Sequence, residues 1–207
     1  MFADVFDAVP SSDDSSCHFT IELGNRMKLF QDLSRFDNSW YKHGRSAPIR
    51  LAWILCNALF FVNPLLPFSR IKVYLLRLFG AKVGAGVIIK SQVSIKQPWF
   101  LDVGNHVWIG EQAWIDNLTW IRIADDVCIS QGVMLLTGNH NYKCPTFDLI
   151  VGGIYLEEGS WIGARSVVCP GVTVEAGAVL SVNSVATKNL EAGFIYQGNP
   201  AEKIRER

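Results

Sequence analysis

Residues 101–136 read LDVGNHVWIGEQAWIDNLTWIRIADDVCISQGVMLL, a stretch in which an aliphatic side chain returns at nearly every sixth position. The same period continues in both directions, and fourteen of its fifteen positions hold Val, Ile or Leu. The fifteen are Val83, Ile89, Ile95, Val103, Ile109, Ile115, Ile123, Ile129, Leu135, Leu156, Ile162, Val168, Val174, Leu180 and Ala186. This period predicts short strands, three to a triangular coil of about eighteen residues.

The spacing departs from six at one recurring point. The steps from 95 to 103 and from 115 to 123 are eight, and the step from 135 to 156 is twenty-one. All three departures follow the third strand of a predicted coil. We therefore expect one corner of the prism to be bulged and to release an inserted loop over 137–153. The sequence predicts an all-β fold, a parallel β-helix of about five coils over residues 83–190.

Three further segments flank this β-helix. They are a predicted mobile tail at 1–35, a helical N-terminal segment at 36–82 and a C-terminal tail at 191–207. Within the helical segment we expect helices over 47–63 and 69–79, separated by prolines. The apolar run 51–62 is shorter than the roughly 20 residues that a spanning helix needs. Residues 47–79 are therefore a candidate for peripheral contact with a membrane; the alternative is packing on the open end of the prism.

The composition excludes several classes of protein. The chain has 207 residues, 19 basic and 19 acidic side chains, 49% hydrophobic residues and a mean hydropathy of +0.19. The balanced charge gives no positive field for a nucleic acid, and the hydrophobic fraction is too high for a disordered chain. No charged-then-apolar signal pattern opens the chain, so we expect a cytoplasmic protein.

Six segments carry a resemblance to a known family, from Phe36 to Arg205. They read FDNSWYKHGRS (36–46), LFGAKVGAGVIIK (78–90), HVWIGEQAWIDNL (106–118), VCISQGVMLLTGNHNY (127–142), GSWIGARSVVCPGVTV (159–174) and GNPAEKIR (198–205). The sequence resembles the hexapeptide-repeat acyltransferases, and among them the colanic acid biosynthesis acetyltransferases, relatives of the galactoside and maltose O-acetyltransferases. The resemblance implies a left-handed β-helix and acetyl transfer to a hydroxyl.

Transfer of an acyl group from a thioester to a hydroxyl needs a base that takes the hydroxyl proton. His140 lies at the start of the predicted loop, and histidine side chains titrate near neutral pH, which suits this role. In the family that the sequence resembles, this histidine is the catalytic base. No Asp or Glu lies beside His140 in the sequence. A backbone carbonyl or a residue of another subunit could therefore orient its imidazole.

Two polar residues lie one coil below this loop, at the corner from which it leaves. The count of coils places Asp116 and Asn117 beneath Leu136 and Thr137, with about 4.8 Å between coils. In the resembling acetyltransferases, polar residues at this position hold the acceptor. We assign Asp116 and Asn117 that role, with hydrogen bonding within the corner as the alternative.

The resemblance also implies where acetyl-CoA, the acyl donor, binds. Ala164 and Val182 are eighteen residues apart and lie on one edge, where small residues of the family let pantetheine run beside the backbone. The family normally has Gly or Ala near Val182, and this sequence departs from that pattern. Further positions that match CoA contacts are Trp161, Thr187, Lys188 and Arg205. Of these, Lys188 and Arg205 suit the CoA phosphates.

The predicted function is acetyl-CoA-dependent O-acetylation of a sugar, by direct transfer, in exopolysaccharide or lipid-linked oligosaccharide biosynthesis. The resemblance implies a homotrimer with sites in clefts between prisms. An alternative is a non-catalytic β-helix scaffold. A metal hydratase on this fold needs three histidine ligands, whereas the coil region offers only His106 and His140, so no metal is expected.

Overall fold

The computed structural model describes residues 31–207, and most of the predicted tail at 1–35 lies outside this range. A short 3-10 turn, Leu33–Arg35, precedes the two helices. Helix α1 (Ala47–Cys56) continues into a π-helical turn at Asn57–Phe61, and α2 covers Ser69–Leu78. These bounds agree with the helices expected over 47–63 and 69–79.

Three sheets form the walls of a prism, with strands numbered in chain order; all their strands pair in parallel except β19 at the end of sheet B. Sheet A contains β1 (Lys82–Val83), β4 (Leu101–Val103), β7 (Ile121–Ile123), β12 (Ile154–Leu156) and β15 (Thr173–Val174). Sheet B contains β2 (Ile88–Ile89), β5 (Trp108–Ile109), β8 (Cys128–Ile129), β13 (Trp161–Ile162), β16 (Val179–Leu180), β18 (Phe194–Gly198) and β19 (Ala201–Glu206). Sheet C contains β3 (Ser94–Ile95), β6 (Trp114–Asp116), β9 (Met134–Leu136), β14 (Val167–Val168) and β17 (Val185–Ala186). The chain visits the sheets in the order A, B, C, so each triplet of strands makes one coil of a parallel β-helix.

The six-residue period fills the interior of this prism. Every one of the fifteen repeat positions is buried except Val83, which lies in the first coil. The side chains stack in register from coil to coil, as in the column of Ile89, Ile109 and Ile129. Because each coil buries its aliphatic residues against those of its neighbours, the coils stabilise one another and no single coil has a core of its own.

The corners explain the departures from the period. The corners from A to B and from B to C are tight and turn at one residue in the left-handed region, for example His106 (φ 57°) and Gln112 (φ 60°). His106 is thus a corner residue. The corner from C to A is longer in the first three coils. In the first coil it contains a 3-10 turn, Pro98–Phe100, and in the third coil it releases the inserted loop.

The C-terminal end corrects the prediction of a tail at 191–207. Strands β18 and β19 form an antiparallel hairpin, and β18 pairs in parallel with β16. Tyr196 stands opposite Leu180 and is buried. An aromatic side chain therefore continues the interior column beyond Leu180, its last aliphatic residue. Leu190 bridges to Val174 in the same way. The β-helix therefore has five complete coils and a partial sixth, about six turns in all.

The helical segment packs on the first coil. Trp53, Phe61 and Leu76 are fully buried and join the core of the prism. The indole Nε1 of Trp53 donates a hydrogen bond to the Ile95 carbonyl oxygen at 2.8 Å, and the Lys72 ammonium donates to the Lys90 carbonyl. These contacts show that one face of each helix covers the first coil.

Candidate active site

The inserted loop is a small hairpin that leaves the corner between sheets C and A in the third coil. Strand β10 (Gly138–His140) pairs in antiparallel fashion with β11 (Leu149–Val151), and His140 stands opposite Leu149. The inserted loop therefore places His140 at the end of β10, and pairing with β11 fixes the position of that strand.

Two contacts orient the imidazole of His140. Its Nδ1 lies 2.9 Å from the carbonyl oxygen of Phe147. A carbonyl can only accept, so Nδ1 carries the proton and Nε2 keeps a free lone pair. The ring also stacks on the Phe147 ring, with centroids 4.4 Å apart and planes 2° from parallel. Of the two alternatives left by the sequence, the structure thus shows a backbone carbonyl as the orienting partner.

The pre-coil segment reaches the same corner. The Phe36 ring lies 5.6 Å from the His140 ring. The hydroxyl of Tyr41 donates to the Leu118 carbonyl at 2.6 Å and accepts a hydrogen bond from the Gln97 amide at 2.8 Å. Burial, with a contribution from the Asp116 carboxylate, raises the pKa of the Tyr41 phenol, so this group stays a neutral donor. The segment FDNSWYKHGRS therefore lines the corner below the loop.

The two predicted acceptor residues occupy different surroundings. Asp116 is partly exposed, and its carboxylate pairs with the Lys96 ammonium at 2.7 Å. Asn117 is fully buried, and its amide oxygen accepts from the Gln97 N–H at 2.9 Å while its amide nitrogen donates to the Gln97 carbonyl at 2.6 Å. Within one chain, Asp116 is therefore available to a ligand, whereas the Asn117 amide bonds the corner of the coil below.

The predicted CoA positions lie on two different edges of the prism. Ala164 and Val182 stack in successive coils at the corner between sheets B and C; the Asn183 N–H donates to the Ala164 carbonyl at 2.9 Å. Val182 is 57% exposed, so its larger side chain projects outward from the edge. Trp161 lies beside this corner on β13, where its indole donates to Ser130 Oγ at 2.9 Å.

The other three positions are elsewhere. Thr187 and Lys188 follow β17 and so belong to the corner between sheets C and A, two coils above the inserted loop, and Arg205 lies on β19 opposite Ile195. One chain therefore does not bring the six positions into a single cluster, nor does it bring His140 to the edge that Ala164 and Val182 form.

Sequence reasoning missed three residues of this region, Phe147, Tyr41 and Gln97. Phe147 acts through its backbone and through a ring whose place depends on how the loop closes, so no spacing could reveal it. Tyr41 had a weak signal, since it lies within FDNSWYKHGRS, whereas Gln97 lies outside all six segments of the resemblance. Within residues 31–207, no group of three or more His, Cys, Asp or Glu side chains is placed to hold a metal ion.

Comparisons with known proteins give three informative similarities, and no family model matches the chain. The chain is 35% identical to the colanic acid biosynthesis acetyltransferase WcaF of Escherichia coli (strain K12) over 178 residues, which cover 86% of this chain and 97% of that protein. A hexapeptide-repeat acetyltransferase of Vibrio cholerae, VCA0836, solved with acetyl coenzyme A, aligns with a TM-score of 0.71 at 22% identity, over 79% of this chain and 91% of that one. A galactoside acetyltransferase in complex with coenzyme A aligns with a TM-score of 0.67 at 22% identity, over 77% and 80% of the two chains.

Proposed function

The chain belongs to the colanic acid biosynthesis acetyltransferases of the hexapeptide-repeat family, and we propose that it transfers the acetyl group of acetyl-CoA to a sugar hydroxyl. The acceptor is a sugar of an exopolysaccharide or of its lipid-linked precursor. The relative named above, which the chain covers almost completely, is the source of this substrate class.

The orientation of His140 is the observation that carries the proposal. Because the Phe147 carbonyl holds the Nδ1 proton, Nε2 is the acceptor atom that can take a proton from a hydroxyl. The hydroxyl oxygen then bonds the thioester carbonyl carbon, and the carbon–sulfur bond breaks. The proton on His140 passes to the departing CoA thiolate. The transfer is direct and forms no covalent intermediate with the enzyme.

The corner below the loop supplies the polar contacts for the acceptor. We assign the Asp116 carboxylate to accept a hydrogen bond from a second sugar hydroxyl, since a charged acceptor binds such a donor strongly. The Lys96 ammonium pairs with the same carboxylate at 2.7 Å. Asn117 holds the corner in which Asp116 stands, and direct contact with the acceptor would require its amide to leave Gln97.

The donor site is proposed at a contact between chains. Ala164, Val182 and Trp161 form one edge for acetyl-CoA, while Thr187, Lys188 and Arg205 suit its outer part. His140 leaves from another corner, so a homotrimer in which the loop of one prism meets the edge of its neighbour would assemble the complete cleft. We place the enzyme in the cytoplasm, at the inner face of the membrane where a lipid-linked sugar is presented.

The test is a transfer assay with radiolabelled acetyl-CoA and a panel of free, nucleotide-linked and lipid-linked sugars. We expect label in at least one sugar, and a higher midpoint of thermal unfolding when CoA is present, because a ligand that binds the native state stabilises it. A chain that neither labels a sugar nor gains stability from CoA would be a scaffold.

A further inference from the structure

The helical segment leaves a large apolar surface uncovered. Its inner face, with Trp53, Cys56 and Phe61, is buried against the first coil. The opposite face also consists of large apolar side chains, each between 57% and 61% exposed: Leu51, Ile54, Leu55 and Leu59. A helix that is apolar all round is normally buried all round. One side of this helix therefore still needs a partner.

The same surface continues through the connection and along α2. Of the twenty-one exposed large apolar side chains in residues 31–207, eleven lie between positions 49 and 78. The remaining seven of these are Ile49, Val62, Leu65, Phe68, Ile71, Tyr74 and Leu78. We call the eleven residues together the helical apolar surface. Single exposed apolar residues are ordinary, but a concentration of this kind marks an interaction surface.

The charged side chains in this part of the sequence have one sign. Residues 38–101 contain nine Lys and Arg side chains and not one Asp or Glu, although the whole chain has 19 of each sign. Lys72 is buried, and Lys82 and Lys96 each pair with a carboxylate of the second coil. Arg45, Arg70 and Arg77 are exposed beside the helices. Although the formal net charge of the chain is zero, the end of the prism on which the helices pack is therefore basic.

We propose that the helical apolar surface docks on the surface of an anionic lipid bilayer, with both helices lying in the headgroup region. Apolar side chains flanked by basic ones are the combination that binds such surfaces. A second copy of this chain fits less well, because like charges would meet across a symmetric contact. Within residues 31–207, no helix is long and apolar enough to cross a bilayer, so the contact is peripheral.

The docking gives the first coil a defined place relative to the membrane. Trp53 joins α1 to Ile95 in the first coil, and the next strand of sheet C ends at Asp116. Asp116 therefore lies one coil from the end of the prism that binds lipid, which suits a lipid-linked sugar. This consequence rests on the proposed function, but the binding to lipid does not.

Vesicle flotation of the full-length protein tests the docking. The probes are vesicles of phosphatidylcholine mixed with phosphatidylglycerol, and vesicles of phosphatidylcholine alone. We expect flotation with the mixed vesicles, weakened by salt, and at least about tenfold weaker binding for Leu55→Gln/Leu59→Gln, because both side chains lose apolar contact with lipid. Ile204→Gln, at an equally exposed apolar residue on the terminal hairpin, is the matched control and should bind like the wild type.

Each other outcome overturns the docking. These are no flotation of the wild type, flotation that Leu55→Gln/Leu59→Gln leaves unchanged, and a larger oligomer in solution that this double variant dissolves without any lipid binding. Acetyl transfer to a soluble acceptor separates the two proposals, since the double variant should keep it. A protein that binds vesicles without transferring acetyl groups would contradict the proposed function and leave the docking intact.

Discussion

At the scale of the residue, a backbone carbonyl of the inserted loop fixes the orientation and the tautomer of the His140 imidazole. The proposed role of His140 as a base follows from the sequence, because few residue types can act as a base near neutral pH and only one histidine lies in the inserted loop. The partner of the imidazole could not be predicted. A carbonyl oxygen is the same in every residue, so only the folded hairpin reveals that Phe147 supplies it.

The stacked ring of Phe147 yields the first prediction. In Phe147→Ala the imidazole loses the face that fixes its plane, and we expect kcat to fall about tenfold while KM for acetyl-CoA stays near its wild-type value. Phe147→Tyr keeps the ring and should restore kcat. Steady-state kinetics of both variants check this, and equal kcat values for Phe147→Ala and the wild type would show that the stack does not position the base.

Asp116 gives the second prediction. Asp116→Ala removes a charged acceptor, so we expect KM for the sugar to rise about tenfold or more, with a much smaller effect on kcat. Asp102→Ala is the matched control, because Asp102 lies near Lys82 and Arg122 on sheet A, away from the corner. If both variants have the wild-type KM for the sugar, Asp116 does not hold the acceptor.

At the scale of the element, a coil consists of three short strands that are stable only in a stack. The interior residues could be predicted because each contributes one aliphatic side chain at a fixed spacing. The terminal hairpin could not be predicted in this way, since its interior residue is Tyr196, a type outside the aliphatic count, and β19 lies on the surface beside β18. A repeat can be recognised in the sequence only as far as the same type of residue recurs at the repeat position.

The interior column of sheet B gives the third prediction. Ile129 is almost fully buried between Ile109 and Ile162. Ile129→Ala leaves a cavity that neighbouring coils cannot close, so we expect the free energy of unfolding to fall by about 2–5 kcal/mol. Ile204→Ala, on the exposed hairpin, should change it by less than about 0.5 kcal/mol. Denaturant unfolding measures both, and similar values for the two variants would contradict a closely packed prism.

At the scale of the whole molecule, the separation of the proposed functional residues is the main finding. His140 leaves one corner of the prism, and Ala164 and Val182 form another, so the proposed cleft requires two chains. Coil counting could predict which residues share an edge. It could not predict which edges meet, because that depends on the faces that the chains bury against one another.

Mixed oligomers give the fourth prediction. Co-expression of His140→Ala with Ala164→Trp, under different affinity tags, yields oligomers in which one chain supplies the intact histidine and the other the intact edge. In trimers that carry both tags, one cleft of three joins an intact histidine to an intact edge, so we expect about one third of the wild-type activity, although each variant alone is inactive. Activity no greater than that of the separate variants would place the whole site within a single chain.

The most direct test of the central claim is the rate of acetyl transfer by His140→Ala beside that of the wild type, with the same sugar and saturating acetyl-CoA. The account predicts a fall in kcat of about 10²–10⁴-fold, the contribution of a general base, with stabilisation by CoA unchanged. A His140→Ala protein that transfers acetyl groups at the wild-type rate would contradict the assignment of His140 as the base.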